Sequence, residues 1–557
     1  MVPRKNRPRN RENPACAQPP RPRRSHAARA PAKRAPHDGN APSAALARPS
    51  TEPGKIPQRR RSCGDTATSP IAPRGSWYTF SLKSSLRPEH VPPLRERRPE
   101  RIAMPTNADY TREYFQIMDA LGGDVAGRRA AYDYMQSSTA IVHHRVVACS
   151  FIPRLFNRKT YDTMKETAET AHRILVKVIE RYLADPEYRR AFDFDPRLEE
   201  LILLPRGYDS VLPFARVDTF LDEDDYRVKF CEFNADGSSG MNENREITTS
   251  VAQSETFKEF ASRHQVEGCE LFESWVQAFL DIYATYERRV ENPRIAICDY
   301  LENGVVDEFH IYAELFRQRG VECVVADVRE LSFDGEALHD KDGQRIDAIW
   351  RRCVTNDVID HWDDSQELLN AVRAEKVALI GSFAGHIVHD KQIFKVLFDE
   401  RTLEFLDGDE ISFIEETVPM TAFLDDDYIN VPQIRANKDE WIIKPTDHYG
   451  ADDVYAGCYV SQEEWEGLID KFANGRAGFP FIVQRYIRPF KTETLPPDAG
   501  IDQLADDEVS DAPKLYNNLN GLYLYDGVFQ GVFSRLGPLP TISKDMQGMT
   551  AATIWVD

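Results

Sequence analysis

Two short polar segments, one on each side of an acidic turn, contain the residue types best suited to metal binding and catalysis. The first is Arg216-Val217-Asp218, and the second is Glu232-Phe233-Asn234-Ala235-Asp236. The turn Asp222-Glu223-Asp224-Asp225 lies between them, and polar and apolar residues alternate on both sides. This pattern predicts a β-hairpin.

Strand geometry determines which of these side chains share a face, because successive residues of a strand point in opposite directions. Arg216 and Asp218 are predicted to share one face, and Glu232 and Asn234 to share a face of the second strand. Carboxylate and amide oxygens suit Mg²⁺, which usually binds through a few protein ligands and nucleotide phosphates. A nearby arginine can stabilise an anionic phosphoryl or acyl transition state. A solvated edge hairpin is the alternative interpretation.

The apolar positions of this hairpin are expected to define its core-facing side. Val217 and Phe233 are predicted to point away from the charged side chains, into a core. Val228 and Phe230 are predicted to continue the polar row of the second strand, because they are an even number of residues away from it.

The charge of the chain is divided unevenly along its length. Residues 1–103 contain 23 of the 70 basic and 7 of the 90 acidic residues, which leaves 47 and 83 for the rest. The main body is therefore strongly acidic, which argues against nucleic acid as a partner and is compatible with cationic substrates such as polyamines. The length of 557 residues suggests roughly three or four domains.

Residues 1–103 also have an unusual composition, with 18 of the 35 prolines and repeated Arg-Pro steps. The segment is predicted to be disordered, and one interpretation is a non-native extension upstream of a start at Met104. The proline density opposes the amphipathic helix of an organelle transit peptide. A basic tail for an anionic surface is a further alternative.

The nine cysteines are scattered and form no CxxC pair. Their distribution favours a reducing, cytoplasmic location and argues against a disulfide framework or a cysteine-based zinc site. No apolar run reaches the roughly 18 residues that a membrane helix needs, so no membrane partner is expected.

The patterns after Met104 predict a mixture of helices and strands. Helices are predicted at about 160–184 and 267–288, and a parallel α/β layer is predicted from a strand at 294–299, a helix at 310–319, and strands at 321–327 and 346–350. No GxGxxG string is present, which argues against a dinucleotide site. Arg351-Arg352 is interpreted as a surface pair, with carboxylate binding as the alternative.

Two lysines in the last third of the chain lie beside predicted element ends. Lys391 precedes a predicted helix at 392–398, and Lys444 lies near the end of a predicted strand at 441–445. The loop after Lys444 can cover phosphates through backbone N–H groups, although an ordinary turn is the alternative. The remaining predictions are strands at 454–457 and 481–487 and a hairpin from Gly521 to Arg535 about Asp526-Gly527.

Taken in this order, the motifs resemble those of the circularly permuted ATP-grasp ligases, particularly the synthetase domain of glutathionylspermidine synthases. Eukaryotic-type glutathione synthetases are more distant relatives. The resemblance runs from about Pro153 to the end and depends most on Arg-x-Asp followed by Glu-x-Asn-Ala-Asp. It implies an α/β fold of α+β layers, a circularly permuted ATP-grasp with an inserted small parallel α/β substrate or lid domain.

The implied domains are a disordered tail at 1–103 and a helical region with the metal-binding hairpin at 104–290. The small parallel α/β domain would occupy 291–386, and the nucleotide-binding region would occupy 387–557.

The resemblance also implies a role for each candidate residue, with Arg216 as the catalytic arginine. The implied metal ligands are Asp218, Glu232, Asn234 and Asp452, the nucleotide contacts are Lys391, Lys444, Gln484 and Tyr486, and the substrate contacts are Ser238, Ser239 and Arg535. The implied cofactors are ATP and Mg²⁺, the latter as two ions. A glutamate that the family places in the loop after Lys444 is missing, and Asp447, Asp452 and Asp453 are the candidates to replace it.

The implied activity is ATP-dependent amide formation from a small-molecule carboxylate and an amine, through an acyl phosphate. A peptide such as glutathione and a polyamine are the candidate substrate types. Two alternatives stay open at this point. One is an ATP-grasp-like binding protein without turnover, which the missing glutamate favours, and the other is a phosphotransferase that uses the same nucleotide site.

Overall fold

The computed structural model describes residues 104–142, 145–302, 304–426, 428–448, 453–473, 480–495, 512–543 and 547–557. All of them belong to one unit of the chain, Thr79–Asp557. The predicted disordered tail and Asp452 lie outside the described residues.

The strands pair into several separate sheets. In chain order they are β1 (Ile141–Val142), β2 (Arg145–Val146), β3 (Arg154–Asn157), β4 (Phe214–Leu221), β5 (Val228–Asn234), β6 (Val266–Gly268), β7 (Arg294–Asp299), β8 (Glu322–Asp327), β9 (Ser332–Phe333), β10 (Leu338–His339), β11 (Arg345–Ile346), β12 (Ala348–Arg351), β13 (Ala378–Ile380), β14 (Thr421–Phe423), β15 (Trp441–Pro445), β16 (Tyr455–Ala456), β17 (Phe481–Arg485), β18 (Lys491–Thr494), β19 (Lys514–Tyr525), β20 (Val528–Gly537), β21 (Met549–Ala551) and β22 (Thr553–Val556).

The helices range from single turns to one long amphipathic helix. In chain order they are α1 (Asn107–Ala120), α2 (Val125–Gln136), α3 (Arg158–Ala184), α4 (Pro196–Ile202), α5 (Met241–Val251), α6 (Glu255–Arg263), α7 (Glu273–Ala284), α8 (Val306–Gln318), α9 (Thr355–Asp360), α10 (Gln366–Arg373), α11 (His386–His389), α12 (Ile393–Val396), α13 (Glu400–Leu403), α14 (Gly408–Thr417), α15 (Val431–Ala436) and α16 (Gln462–Phe472). Among the described residues, no helix has the length and apolar character that crossing a bilayer requires.

The largest sheet has the order β21-β20-β19-β4-β5, with β18 also paired to β19. It contains both predicted hairpins, β4–β5 and β19–β20, which pair antiparallel. The second hairpin turns at Asp526 and Gly527, which both have positive φ angles, as a tight two-residue turn requires. The predicted helix α3 packs on one face of this sheet, since its apolar residues share a core cluster with Val217 and Leu522.

Because strand β5 contains a β-bulge, its side chains are arranged differently from the prediction. Asp218 pairs with Glu232 but Thr219 pairs with Phe230, so Cys231 is an extra residue between the two pairs. The extra residue reverses the alternation, and Phe230 therefore lies in the same core cluster as Phe233. The prediction that Val228 and Phe230 continue the row of Glu232 and Asn234 is thus wrong.

The predicted parallel layer is present as a four-stranded sheet of order β13-β12-β7-β8, in which all pairs are parallel. Helix α8 packs on it and begins four residues earlier than predicted, at Val306. The interpretation of Arg351-Arg352 as a surface pair is wrong, because their residues are 2% and 6% exposed. Both arginines are instead buried where β12 ends.

A second antiparallel sheet, of order β14-β17-β15-β16, contains the strand that bears Lys444. Trp465 and Ile469 of α16 and Ile443 and Val483 of the sheet form its small core. Several other predicted elements also differ in their bounds. The region predicted as a helix at 267–288 contains the end of β6 and then α7, and those predicted at 392–398, 454–457 and 481–487 are the shorter elements α12, β16 and β17.

Trp275 of α7 joins the largest sheet to the parallel layer. Its ring stacks on Phe214 of β4 at a centroid distance of 4.4 Å and lies 3.7 Å from the ring of Trp350 of β12. The residue is fully buried. Because two sheets share this one side chain, its loss leaves a cavity between them.

We therefore expect Trp275→Ala to lower the free energy of unfolding by about 3–5 kcal/mol, the range for truncating a buried large aromatic. Urea denaturation followed by fluorescence and circular dichroism measures this change. Leu515→Ala is the matched control, since Leu515 is 62% exposed, and it should change stability by less than about 0.5 kcal/mol. Equal midpoints for the two variants would contradict the packing described above.

Candidate functional site

A fully buried carboxylate, Asp218, lies at the centre of the polar face of the largest sheet. Arg216 donates from Nε to Asp218 Oδ1 at 2.9 Å and from a terminal nitrogen to Oδ2 at 3.3 Å. Arg535 of β20 forms an ion pair with the same Oδ2, and Asn234 Nδ2 lies 3.1 Å from it. Residues from β4, β5 and β20 thus converge on one carboxylate.

The strand between β4 and β20 makes this convergence possible because it has no side chain at the crossing point. Gly521 of β19 pairs with Asp218. A Cβ at Gly521 would lie 2.7 Å from Arg216 Cδ and 2.8 Å from Asp218 Oδ1. Phe533 lies beneath the two guanidinium groups, with Arg216 Cζ and Arg535 Cζ 5.5 and 5.7 Å from its ring centroid.

Glu232 extends the carboxylate cluster toward solvent. Burial alone would raise its pKa, but the charges of Lys391 and Arg535 outweigh burial and hold the pKa of Glu232 well below its usual range. Burial likewise opposes the charge of Arg216, yet Asp218 raises the pKa of that guanidinium further. Glu232 and Arg216 are therefore both charged at neutral pH.

The two lysines that the sequence singled out both approach this cluster. Lys391 lies between α11 and α12, and its Nζ is 3.8 Å from Glu232 Oε2. Lys444 Nζ donates to the carbonyl of Cys231 at 3.4 Å and to Gln484 Oε1 at 3.0 Å. Both lysines are buried. The bulge at Cys231 thus turns a carbonyl toward Lys444.

Strand β17 holds one of the implied nucleotide contacts, Gln484, close to Lys444. Gln484 is buried between Lys444 and Thr421, and its Nε2 donates to Thr421 Oγ1 at 2.8 Å. Tyr486 lies one residue beyond the end of β17, where its backbone N–H donates to the backbone carbonyl of Glu440 at 2.8 Å. Burial, with Cys458 alongside, raises the pKa of Tyr486.

The two serines that the resemblance implied as substrate contacts present their backbone carbonyls to arginines. The carbonyl of Ser239 accepts from Arg216 at 2.8 Å and from the hydroxyl of Tyr523 at 2.9 Å. The carbonyl of Ser238 accepts from Arg352. The loop after β5 is therefore fixed between the arginines of two sheets.

The two described candidates for the missing loop glutamate, Asp447 and Asp453, make their contacts away from Asp218. Asp453 accepts from the hydroxyl of Tyr455 at 2.8 Å. Asp447 Oδ2 lies 3.2 Å from His386 Nε2. The third candidate, Asp452, lies outside the described residues.

A second buried charge cluster, behind Lys391, was missed from the sequence. Asp236 forms an ion pair with Arg351 at 2.6 Å and accepts from the backbone N–H of Thr355 at 2.7 Å. His386 Nδ1 lies 3.6 Å from Asp236 Oδ2. Burial would raise the pKa of Asp236, but Arg351 holds it well below its usual range. The string His386-x-x-His389-Asp390 was the available signal.

The end of the parallel sheet holds a further group of buried charges. Arg352 lies over the rings of Phe309 and Trp350, at 5.3 and 5.2 Å, and its Nε is buried without a hydrogen-bond partner among the described residues. Burial raises the pKa of Asp299 to about 7, against which Arg352 acts only partly. Burial also raises the pKa of Glu308.

Solved structures similar to this chain share little sequence with it. A glutathione synthetase-like effector from Globodera pallida is 12% identical, with a TM-score of 0.48 over 77% of this chain and 96% of the other. A protein assigned as a gamma-glutamylcysteine synthetase, from Methylobacillus flagellatus, is 12% identical, with a TM-score of 0.37 over 68% and 87%. D-cycloserine synthetase is 14% identical, with a TM-score of 0.28 over 47% and 74%. No protein-family model and no curated protein matches the sequence.

The residues around Asp218 fit a divalent cation that binds together with a polyphosphate. Asn234 Nδ2 lies 3.1 Å from Asp218 Oδ2 and 3.4 Å from Glu232 Oε1, so the amide reaches both carboxylates. A half-turn of that amide would present its oxygen in the same place, which gives an all-oxygen donor set suited to Mg²⁺. Arg535 Nε is buried without a hydrogen-bond partner in the described part of the chain, which leaves a donor for an anion.

The close packing at Gly521 gives a direct test of the arginine–aspartate geometry. We expect Gly521→Ala to displace Arg216 or Asp218 and to lower the free energy of unfolding by about 1–3 kcal/mol, as overpacking does. Gly467→Ala in α16 is the matched control. A Cβ there meets nothing within 4 Å, so alanine should be neutral or stabilising by up to about 1 kcal/mol. Denaturant midpoints that rank the two variants in the opposite order would contradict this geometry.

The raised pKa of Asp299 predicts a pH dependence of stability. The folded protein retains a proton up to about pH 7 that the unfolded chain releases near pH 4, so this residue destabilises the fold as pH rises. The stability of Asp299→Asn relative to that of the wild type should therefore increase by about 2 kcal/mol when the pH is raised from about 5 to about 8. Urea denaturation at both pH values measures the difference. A gain that does not change with pH would refute the assignment.

Proposed function

We propose that this protein is an ATP-dependent carboxylate–amine ligase that forms an amide bond. The observation that carries the proposal is the convergence of cations from separate elements on two acids of one hairpin. The cations are Arg216, Arg535, Lys391 and Lys444, and the acids are Asp218 and Glu232. Such an excess of buried positive charge is costly unless an anion binds to it.

The formal charge of this site has the sign that a nucleoside triphosphate requires. Four cationic groups and two carboxylates leave two positive charges, which attract the negatively charged phosphates. Asp218, Glu232 and Asn234 would hold Mg²⁺, which when bound neutralises phosphate oxygens and supports phosphoryl transfer. The remaining cations can then contact phosphate oxygens directly.

The positions of the two lysines suggest different contacts with the nucleotide. Lys444 is held between Gln484 and the carbonyl of Cys231, at the side of the second antiparallel sheet. We assign the base and the inner phosphates to this side, with Gln484 and Tyr486 next to the base. Lys391 faces Glu232 and the carboxylate cluster, and we assign it to the terminal phosphates.

The proposed reaction has two displacements that balance without a protein nucleophile. A substrate carboxylate oxygen attacks the terminal phosphorus, which releases ADP and leaves an acyl phosphate. The amine nitrogen then attacks the carbonyl carbon, phosphate leaves, and the amine loses a proton. Arg216 and Arg535 are placed to stabilise the negative charge that develops on the transferred group and on the acyl oxygen.

The finer assignments rest on the sequence resemblance. We propose the circularly permuted ATP-grasp arrangement with the domain boundaries given above, two Mg²⁺ ions, and a cytoplasmic enzyme similar to glutathionylspermidine synthases. The acid would be a peptide such as glutathione, and the amine a polyamine. Ser238 and Ser239 would line the substrate side, where their loop lies between Arg216 and Arg352.

Lys444 provides the sharpest test of the nucleotide site. We expect Lys444→Met to weaken Mg²⁺-dependent ATP binding by about 10- to 100-fold, since it removes a charge-assisted hydrogen bond in a buried site. Titration calorimetry on the full chain measures the affinity. Lys376→Met is the matched control, because Lys376 forms an ion pair with Glu336 at 2.8 Å on the protein surface. Equal losses in both variants would remove the support for this site.

The reaction itself is tested by supplying ATP and Mg²⁺ with a panel of carboxylates and amines and following ADP release. A ligase requires both an acid and an amine and yields an amide that mass spectrometry detects. Nucleotide binding without ADP release for any pair would favour the binding protein without turnover. ADP release with a stable phosphorylated product and no amide would favour a phosphotransferase.

A further inference from the structure

The buried cluster behind Lys391 contains donor atoms from three residues in one small space. One nitrogen of His386, one oxygen of Asp390 and one oxygen of Asp447 all lie within 4.8 Å of one another. His386 begins α11, Asp390 directly follows it, and Asp447 lies in the loop that follows β15. Residues far apart in the sequence therefore form this group.

The histidine of this group has no hydrogen-bond partner of good geometry among the described residues. His386 is 1% exposed, yet neither of its ring nitrogens makes a hydrogen bond. Nε2 faces Asp447 at 3.2 Å and Nδ1 faces Asp236 at 3.6 Å. The adjacent His389 also has a buried Nδ1 without such a partner, and its ring centroid is 5.6 Å from that of His386. Unsatisfied buried donors and acceptors of this kind are costly in a native protein.

We propose that His386, Asp390 and Asp447 form a binding site for Zn²⁺, separate from the cluster around Asp218. Imidazole nitrogen combined with carboxylate oxygen is a donor set that suits Zn²⁺, whereas Mg²⁺ prefers oxygen alone. Three protein ligands leave one tetrahedral position for water.

The remaining contacts of these side chains are compatible with metal ligation. Asp390 Oδ1 accepts from the backbone N–H of Gln392 at 2.9 Å, which orients the carboxylate and leaves its other oxygen available. The backbone carbonyl of Asp447 accepts from Asn356 at 3.0 Å, so the residue is held in place by its main chain. Ligands oriented by outer hydrogen bonds are typical of metal sites.

Local charge also favours a dication at this position. Arg351 compensates Asp236 through their direct ion pair. Asp390 and Asp447 face His386, and the charge of Lys391 acts on both of these carboxylates. Lys391 also lies 3.8 Å from Glu232, so one lysine is shared among three carboxylates. Zn²⁺ would compensate both carboxylates and would fix the loop after β15 to α11. The proposal does not depend on the ligase activity, because it concerns different residues.

The test uses the full chain, freed of metal by chelation and titrated with Zn²⁺ by calorimetry in millimolar Mg²⁺. We expect one equivalent of Zn²⁺ to bind and to raise the melting temperature. His386→Asn and Asp390→Asn should each weaken this binding by about 100-fold or more. Glu232→Gln should bind Zn²⁺ as the wild type does, since it alters only the other cluster.

Two controls separate this site from incidental binding by surface histidines. His361→Asn is the matched variant, because His361 Nδ1 also lies near a carboxylate, 3.9 Å from Asp364 Oδ2, but on an exposed surface. It should leave the affinity unchanged. Co²⁺ added to the wild type should give the visible absorption of a four- or five-coordinate site, which serves if a variant does not fold. The proposal is overturned if the wild type binds no Zn²⁺, or if His386→Asn and Asp390→Asn bind it as tightly as His361→Asn.

Discussion

The burial of the Asp218 carboxylate is the constraint on which the arrangement of the site depends. A fully buried ionised carboxylate is stable only if other groups compensate it. Here Arg216, Asn234 and Arg535 do so from three different strands. The register of the sheet places Gly521 opposite Asp218, and the absence of a side chain at Gly521 leaves room for Arg216 and Asp218 to lie over β19. The charge of Asp218 can therefore be compensated only when all four strands, β4, β5, β19 and β20, are paired.

The bulge at Cys231 lets one short strand serve two purposes. Before the bulge, Val228 and Phe230 pack in the core, and after it Glu232 faces the polar side while Phe233 returns to the same core. The extra residue also turns the carbonyl of Cys231 toward Lys444. Without the bulge, either the apolar row or the carboxylate row would lie on the wrong face. A local irregularity thus allows core packing and the charged site to coexist.

The second cluster connects the parts of the chain that surround the first. Asp236 comes two residues after the hairpin and is held by Arg351 from the parallel layer, and His386 lies between Asp236 and Asp447. Asp447 belongs to the loop after Lys444, while Lys391 contacts both Glu232 and the carbonyl of His448. The two clusters are thus neighbours joined by buried polar contacts, each with its own set of acids.

Local patterns in the sequence predicted both hairpins, the long helix α3, the parallel layer and the strand that bears Lys444. They could do so because hydrophobic periodicity and the preferences of turn residues depend on only a few neighbouring positions. The sequence also singled out Arg216, Asp218 and Glu232 as polar residues on predicted strands, and Lys391 and Lys444 as lysines beside predicted element ends. Tertiary structure alone decided the bulge, the burial of Arg351 and Arg352, and the meeting of His386 with Asp447. Those features depend on which distant strands become neighbours, and the pairing of buried charges across sheets leaves no periodic signal in the chain.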